Sequence, residues 1–177
     1  MSDDEHASSS PAAWLVAHRA LLPPSGRALD VASGRGRNAV WLARQGLETT
    51  AIDRDADTTA ALAARARREG LPLVALAVDL ETGVASLGDE VYDVIVVVHY
   101  LHRPLFPALL AALRPGGVLV YETFTVAQAA RGRPTNPAFL LEPGELLRLV
   151  APLEIRAARE GDYEGRMVSS VVTVKPI

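Results

Sequence analysis

The residues best suited to chemistry in this 177-residue chain fall into four short clusters, each at the end of a strand-like run. The first is Asp30-Val31-Ala32-Ser33-Gly34-Arg35-Gly36-Arg37-Asn38-Ala39, where an acid and two glycines lead from an apolar segment into an Ala-rich helical pattern. Glycine is needed where φ must be positive or where a ligand lies against backbone, and the free N–H groups of a helix's first turn attract an anionic group. The turn therefore reads as a small-molecule cradle. The other clusters are Asp53-Arg54-Asp55, Val78-Asp79-Leu80 and His99-Tyr100-Leu101-His102-Arg103.

The two acids of the first half select the ligand. In a dinucleotide fingerprint the discriminating acid lies about 20 residues beyond the glycines, at the end of the second strand. Asp53 fills that position, but Asp30 puts a further carboxylate inside the cradle, four residues before Gly34. A carboxylate there repels a pyrophosphate and suits a cation. A nucleoside carrying an amino acid satisfies both acids, its ammonium at Asp30 and its ribose at Asp53, with Arg54 against the adenine. S-adenosylmethionine is the common cofactor of that description.

The run Asp30-x-Ala32-x-Gly34-x-Gly36 resembles motif I of class I S-adenosylmethionine-dependent methyltransferases. Gly36-Arg37-Asn38-Ala39 with Trp41-Leu42-Ala43 is similar to the small tellurite-resistance-like branch of that superfamily. The resemblance runs from about Leu29 to Glu145 and departs in two places: Ala32 stands where many members have glycine, and Ala39 must supply the close helix packing of an absent third glycine. It implies a Rossmann-like α/β fold with a seven-stranded, mostly parallel sheet, an antiparallel C-terminal hairpin and helices on both faces. It also implies that Asp79 accepts the adenine amino group while the Leu80 N–H meets the ring, and that Ala32, Gly34, Gly36, Arg37 and Asn38 border the cofactor.

An alternating pattern positions these clusters. A helix is expected over Pro11–Leu22, strands near 27–32, 48–53, 73–78, 92–98 and 118–124, and helices over 37–45, from an Asp57 or Thr58 cap to Gly70, over 104–113 and over 143–150. Two strands, 153–158 and 167–174, close the chain without a helix between them. The fourth cluster follows the fourth strand, where open α/β sheets bind ligands outside the carboxyl ends of their strands. His99 is expected to meet the methionine part of the cofactor through its backbone and Tyr100 to orient the acceptor. His102 is the candidate donor or base toward the acceptor, with helix capping by His102 and Arg103 as the alternative. The two histidines lack a third ligand nearby, so no metal is expected.

Methyl transfer asks mainly for alignment and exclusion of water. The expected reaction is in-line displacement onto a small acceptor: a thiol, a chalcogen oxyanion or an anionic metabolite. The helix at 11–22 and the loop 128–143 would cover the site, and Arg103, Arg131 and Arg133 would attract an anion because guanidinium forks match oxyanions. A cofactor-binding module without catalysis and a nicotinamide-dependent oxidoreductase are the competing classes.

Length and composition set the remaining bounds. With 49% hydrophobic residues the chain can bury one full core, expected over 11–177 behind a polar, flexible tail at 1–10. No apolar stretch is long enough for a membrane span, and the start lacks the layout of a signal peptide. The absence of cysteine excludes thiolate catalysis and fits a cytoplasmic location. A net charge of −3 argues against nucleic acid as a partner, although 17 of the 18 basic residues are arginine.

Overall fold

The computed structural model describes residues 10–82 and 86–177. The tail expected over 1–10 lies outside them except for Ser10, as do three residues of the segment before the fourth strand. The order is α1 (Ala13–Ala17), β1 (Gly26–Val31), α2 (Arg37–Arg44), β2 (Leu47–Asp53), α3 (Ala56–Glu69), β3 (Leu73–Ala77), β4 (Tyr92–Val98), α4 (Phe106–Ala112), β5 (Leu113–Phe124), α5 (Glu145–Leu149), β6 (Glu154–Tyr163) and β7 (Arg166–Val174). The seven strands lie in the order β3-β2-β1-β4-β5-β7-β6. The first five are mutually parallel, and β7 enters antiparallel between β5 and β6. This is the mixed sheet and closing hairpin expected from the sequence.

The central strands are buried almost throughout because both their faces are covered, and β4 reads as a β-branched run. Val94, Ile95, Val96 and Val97 of β4 are wholly buried, as are Ala28, Leu29 and Val31 of β1. Leu29, Ile95, Val97, Leu119 and Tyr121 face Phe106 and Leu109 of α4 and Leu146 of α5. On the other face Val94, Val96, Val120 and Val172 meet Trp14 and Leu15 of α1 and Leu42 of α2. α3 closes a smaller cluster through Leu62 and Ala66 against Ala39, Ala51 and Leu73. Each fully buried aliphatic side chain contributes about 1.5–3 kcal/mol relative to exposure.

Several boundaries differ from those expected. α1 is confined to Ala13–Ala17, followed by a 3₁₀ turn at Arg19–Leu21. The helix expected over 104–113 divides into a 3₁₀ turn at Arg103–Leu105, with Pro104 inside it, and α4. α5 spans only Glu145–Leu149. α3 is capped by Asp55, whose side chain accepts from the Thr58 N–H at 2.9 Å, and not by Asp57 or Thr58. β5 begins at Leu113, five residues early, where Leu113 pairs with Tyr92 of β4 and Gly116 and Gly117 exchange backbone bonds with Lys175 beyond β7. The hairpin is also longer than expected, through Tyr163 on β6 and from Arg166 on β7.

Candidate active site

The cradle is built by the turn from β1 into α2. Gly34 and Gly36 have φ of 51° and 75°, and Ala32 between strand and turn has 53°. A Cβ at Gly34 would meet nothing within 4 Å, so that backbone faces open space, as a ligand cradle requires. Gly36 also has a packing role. A Cβ there would lie 2.4 Å from Leu62 Cδ2, so its missing side chain lets α2 start against α3.

Asp30 is buried, and its Oδ2 accepts from the Ala39 N–H at 2.9 Å, tying β1 to the first turn of α2. Burial pushes its carboxyl up to about 7 against the opposing pull of that N–H and of Arg37. Asp53, at the end of β2, accepts from the Gly34 N–H at 2.8 Å through Oδ2 and from the Asp55 N–H at 3.0 Å through Oδ1. These bonds brace the cradle and aim the carboxylate at its open side.

A cavity of about 320 Å³ runs along the carboxyl ends of the strands. Its lining takes Asp53 and Arg54 from the end of β2, Asp79, Leu80 and Glu81 from beyond β3, Ala32 from the end of β1, His99 and Tyr100 from the end of β4, and Phe124, Pro134 and Phe139 from β5 and the loop after it. Of the residues singled out from sequence, Ala32, Asp53, Arg54, Asp79, Leu80, His99 and Tyr100 thus meet in one space. Glu81 was missed. Phe124, the last residue of the fifth strand, and Pro134 and Phe139, on the loop 128–143 expected to cover the site, also line the cavity.

His99 also has a positive φ of 58°, and its ring stacks on Phe124 with centroids 4.6 Å apart. Its N–H donates to the Glu122 carbonyl at 2.8 Å. Burial, then the fields of Arg37 and Arg166, lower the imidazole to about 4, so it is neutral at physiological pH. Ala32 and His99 end adjacent strands in left-handed backbone that non-glycine residues seldom adopt, and such strain concentrates where ligands are held. Tyr100 places its hydroxyl 3.4 Å from Glu81 Oε1, and its carbonyl accepts from the Tyr121 hydroxyl at 2.8 Å. Burial, then Glu81, raises its phenol above the ordinary value.

The remaining sequence candidates lie outside the cavity wall. Arg103 does not point an open fork at an acceptor: Nε and Nη2 donate to Glu145 at 2.6 and 2.9 Å, and Nη1 and Nη2 to the Ala138 and Leu140 carbonyls at 3.0 and 2.9 Å. It straps the covering loop to α5. Arg131 is ion-paired with Asp162. His102 precedes the 3₁₀ turn, its carbonyl accepting from the Leu105 N–H at 3.0 Å. Arg37 donates to the Ser10 carbonyl at 3.3 Å and Asn38 Oδ1 accepts from the Ala12 N–H at 2.9 Å, so both hold the segment leading into α1. Among the described residues, no helix is long and apolar enough to cross a membrane, and no three acids or histidines group as metal ligands.

The donor set fits the expected cofactor. Three carboxylates, of Asp53, Asp79 and Glu81, offer acceptors to hydroxyl and amino groups, and the apolar lining beside them suits the carbon surface of a nucleoside.

Comparison with known proteins agrees with this geometry. Over 98 residues the chain is 35% identical to hemagglutinin 1 of Eikenella corrodens, a match covering 51% of this chain and 32% of that protein. TehB from Haemophilus influenzae superposes with a TM-score of 0.74 at 20% identity, over 92% of this chain and 61% of that one. An S-adenosylmethionine-dependent methyltransferase from Mesorhizobium loti gives 0.72 at 20% identity, over 93% and 98%. At such identities the likeness is one of fold. The chain thus spans about a third of the curated relative and under two thirds of TehB. Residues 28–117, which carry the cradle and the ends of β2, β3 and β4, match the family described as a methyltransferase domain, and across half its length the chain therefore belongs to that family.

Proposed function

We propose that the protein moves a methyl group from S-adenosylmethionine, the cofactor of its family, to a small nucleophilic acceptor such as a thiol, a chalcogen oxyanion or an anionic metabolite. The observation that carries this reading is the single cavity that joins the acids at the ends of β2 and β3 to His99 and Phe124 at the ends of β4 and β5. When bound, S-adenosylmethionine supplies a methyl group activated on a sulfonium.

The chain's own residues do the rest by binding and placement. Asp53 takes ribose hydroxyls, Asp79 the adenine amino group, and Arg54 lies along the base. Asp30, behind the cradle, provides negative charge toward an ammonium. Pro134 and Phe139 cover the cavity and keep water out, which strengthens every charge interaction inside. His99 and Tyr100 add an uncharged, hydrogen-bonding surface. His102 is retained as the candidate proton acceptor for a hydroxyl or amine; an ionised thiol or oxyanion needs none.

Calorimetric titration of cofactor-stripped protein with S-adenosylmethionine, S-adenosylhomocysteine and NAD tests the reading. Micromolar binding of the first two without NAD supports it, and failure of both sulfur compounds to bind refutes it. Labelled-methyl transfer to a panel of small thiols and oxyanions then separates an enzyme from a module that only binds.

A further inference from the structure

The covering loop holds an aromatic ring against the cavity by several separate fixings. It returns to the end of β5, where the Leu141 N–H donates to the Phe124 carbonyl at 2.9 Å and Leu140 and Leu141 are buried. Asn136 caps the 3₁₀ turn Pro137–Phe139, its Oδ1 accepting from the Ala138 N–H at 3.0 Å. Arg103 binds the carbonyls of Ala138 and Leu140, one on either side of Phe139. Phe139 itself lines the cavity and remains 47% exposed. A large apolar side chain kept in water at a cavity wall gains when a ligand's apolar surface covers it.

The neighbours of this ring are of the same kind. Phe124, His99 and Tyr100 line the cavity from the ends of β5 and β4, and the His99 and Phe124 rings stack with centroids 4.6 Å apart. In the strand order β3-β2-β1-β4-β5, the end of β5 lies three strand spacings from the end of β2, about 14 Å. A nucleoside held by Asp53 and Asp79 therefore does not reach Phe124.

Among the described residues, no cation serves this part of the wall. Arg103 and Arg131 are bound by Glu145 and Asp162, and Arg133 does not line the cavity. Arg54 comes from the end of β2 and shares the lining with the carboxylates of Asp53, Asp79 and Glu81. Glu81 extends to Tyr100, its Oε1 3.4 Å from the hydroxyl, so an anion placed there meets a like charge.

We propose that His99, Tyr100, Phe124 and Phe139 receive the methyl acceptor as a flat, uncharged, apolar molecule, and that acceptors bearing an anionic group are turned away. Aromatic rings pair by offset stacking and edge contacts, and rings already fixed in place need little ordering to accept another. The inference rests on the methyl-transfer reading and narrows it: of the three acceptor types, the thiol on an apolar body remains. Arg103 then acts as a positioning residue for Phe139, in place of the anion contact expected from sequence.

The experiment titrates two products of aromatic thiol methylation, neutral thioanisole and anionic 4-(methylthio)benzoate, into protein saturated with S-adenosylhomocysteine, and repeats both titrations without it. Wild type should bind thioanisole at least tenfold more tightly than the carboxylate. Phe139→Ala should weaken thioanisole at least fivefold with S-adenosylhomocysteine affinity within twofold, and Phe139→Arg should reverse the preference in favour of the carboxylate. Val74→Ala, which trims an exposed apolar side chain outside the cavity lining, should change neither titration. The proposal is overturned if wild type binds neither probe, if it binds the carboxylate as tightly as thioanisole, or if Phe139→Ala binds thioanisole as wild type does. Any of these in protein that still binds S-adenosylhomocysteine leaves the methyl-transfer reading standing. Thioanisole binding that depends on Phe139, in protein that ignores S-adenosylhomocysteine, would uphold the apolar subsite and sink that reading.

Discussion

Asp30 and His99 should nearly cancel in the pH dependence of stability, and replacing either should expose the other. Asp30 is lifted from 3.8 to about 7, chiefly by burial. Between those values the folded state holds a proton that the unfolded state has released, so stability falls as pH rises and the loss is complete above about 7. At about 1.4 kcal/mol per pH unit of displacement, the full loss is about 4 kcal/mol. His99 is lowered from 6.5 to about 4, again first by burial. There the unfolded state holds the extra proton, so stability rises with pH across that window by about 3 kcal/mol. The opposed slopes leave the wild type nearly flat between about pH 4 and 6.5 as far as these two groups are concerned.

Asp30→Asn keeps an oxygen for the Ala39 N–H and removes the buried charge. Urea unfolding across that pH range should show the variant gaining stability with pH where the wild type does not, and exceeding it above pH 7. S-adenosylmethionine should bind the variant more weakly, since the proposed function assigns this carboxylate to the cofactor's ammonium. Parallel pH curves for the two proteins would refute the reasoning, because Asp30 would then titrate alike folded and unfolded.

Asp53→Ala should weaken S-adenosylhomocysteine about 10- to 100-fold by calorimetry, the worth of hydrogen bonds to a charged acceptor; unchanged affinity would remove the ribose assignment. Gly36→Ala should lower stability by about 1–3 kcal/mol in thermal or urea unfolding, since a Cβ there meets buried Leu62 and the backbone is left-handed. Arg103→Ala should cost about 1 kcal/mol or less in global stability, as expected of a partly exposed pair. Hydrogen exchange at 138–145 should nonetheless accelerate, because the strap to Glu145, Ala138 and Leu140 is gone. His102→Ala should lower kcat toward a hydroxyl or amine acceptor with Tm unchanged; full turnover would leave the residue a member of the turn alone.

What the sequence disclosed was local. Strand β4 is a run of valine and isoleucine, and the cradle announces itself through Asp30, Gly34 and Gly36. The acid of β2 lies at a spacing set by the strand–helix–strand unit. What it hid depends on partners far along the chain. That Arg103 is bound by Glu145 and Arg131 by Asp162 follows from the covering loop folding back on α5 and β6. The capping of α3 by Asp55 was hidden by Asp57 and Thr58 nearby, any of which suits a helix start. The short α1 reflects anchoring by Asn38 and burial of Trp14 and Leu15, which hold the segment without a long helix.

The order of the last two strands has a consequence for how the protein is made. β6 leaves the ribosome before β7 yet pairs only through it, since β7 lies between β6 and β5. Until residues 166–174 emerge, β5 presents an unpaired edge and β6 has no place in the sheet. An edge rich in valine and aromatic residues is a template for pairing with other chains. Nascent or proteolysed chains that end before Arg166 should therefore be captured by chaperones or aggregate, although they contain the whole cofactor cradle.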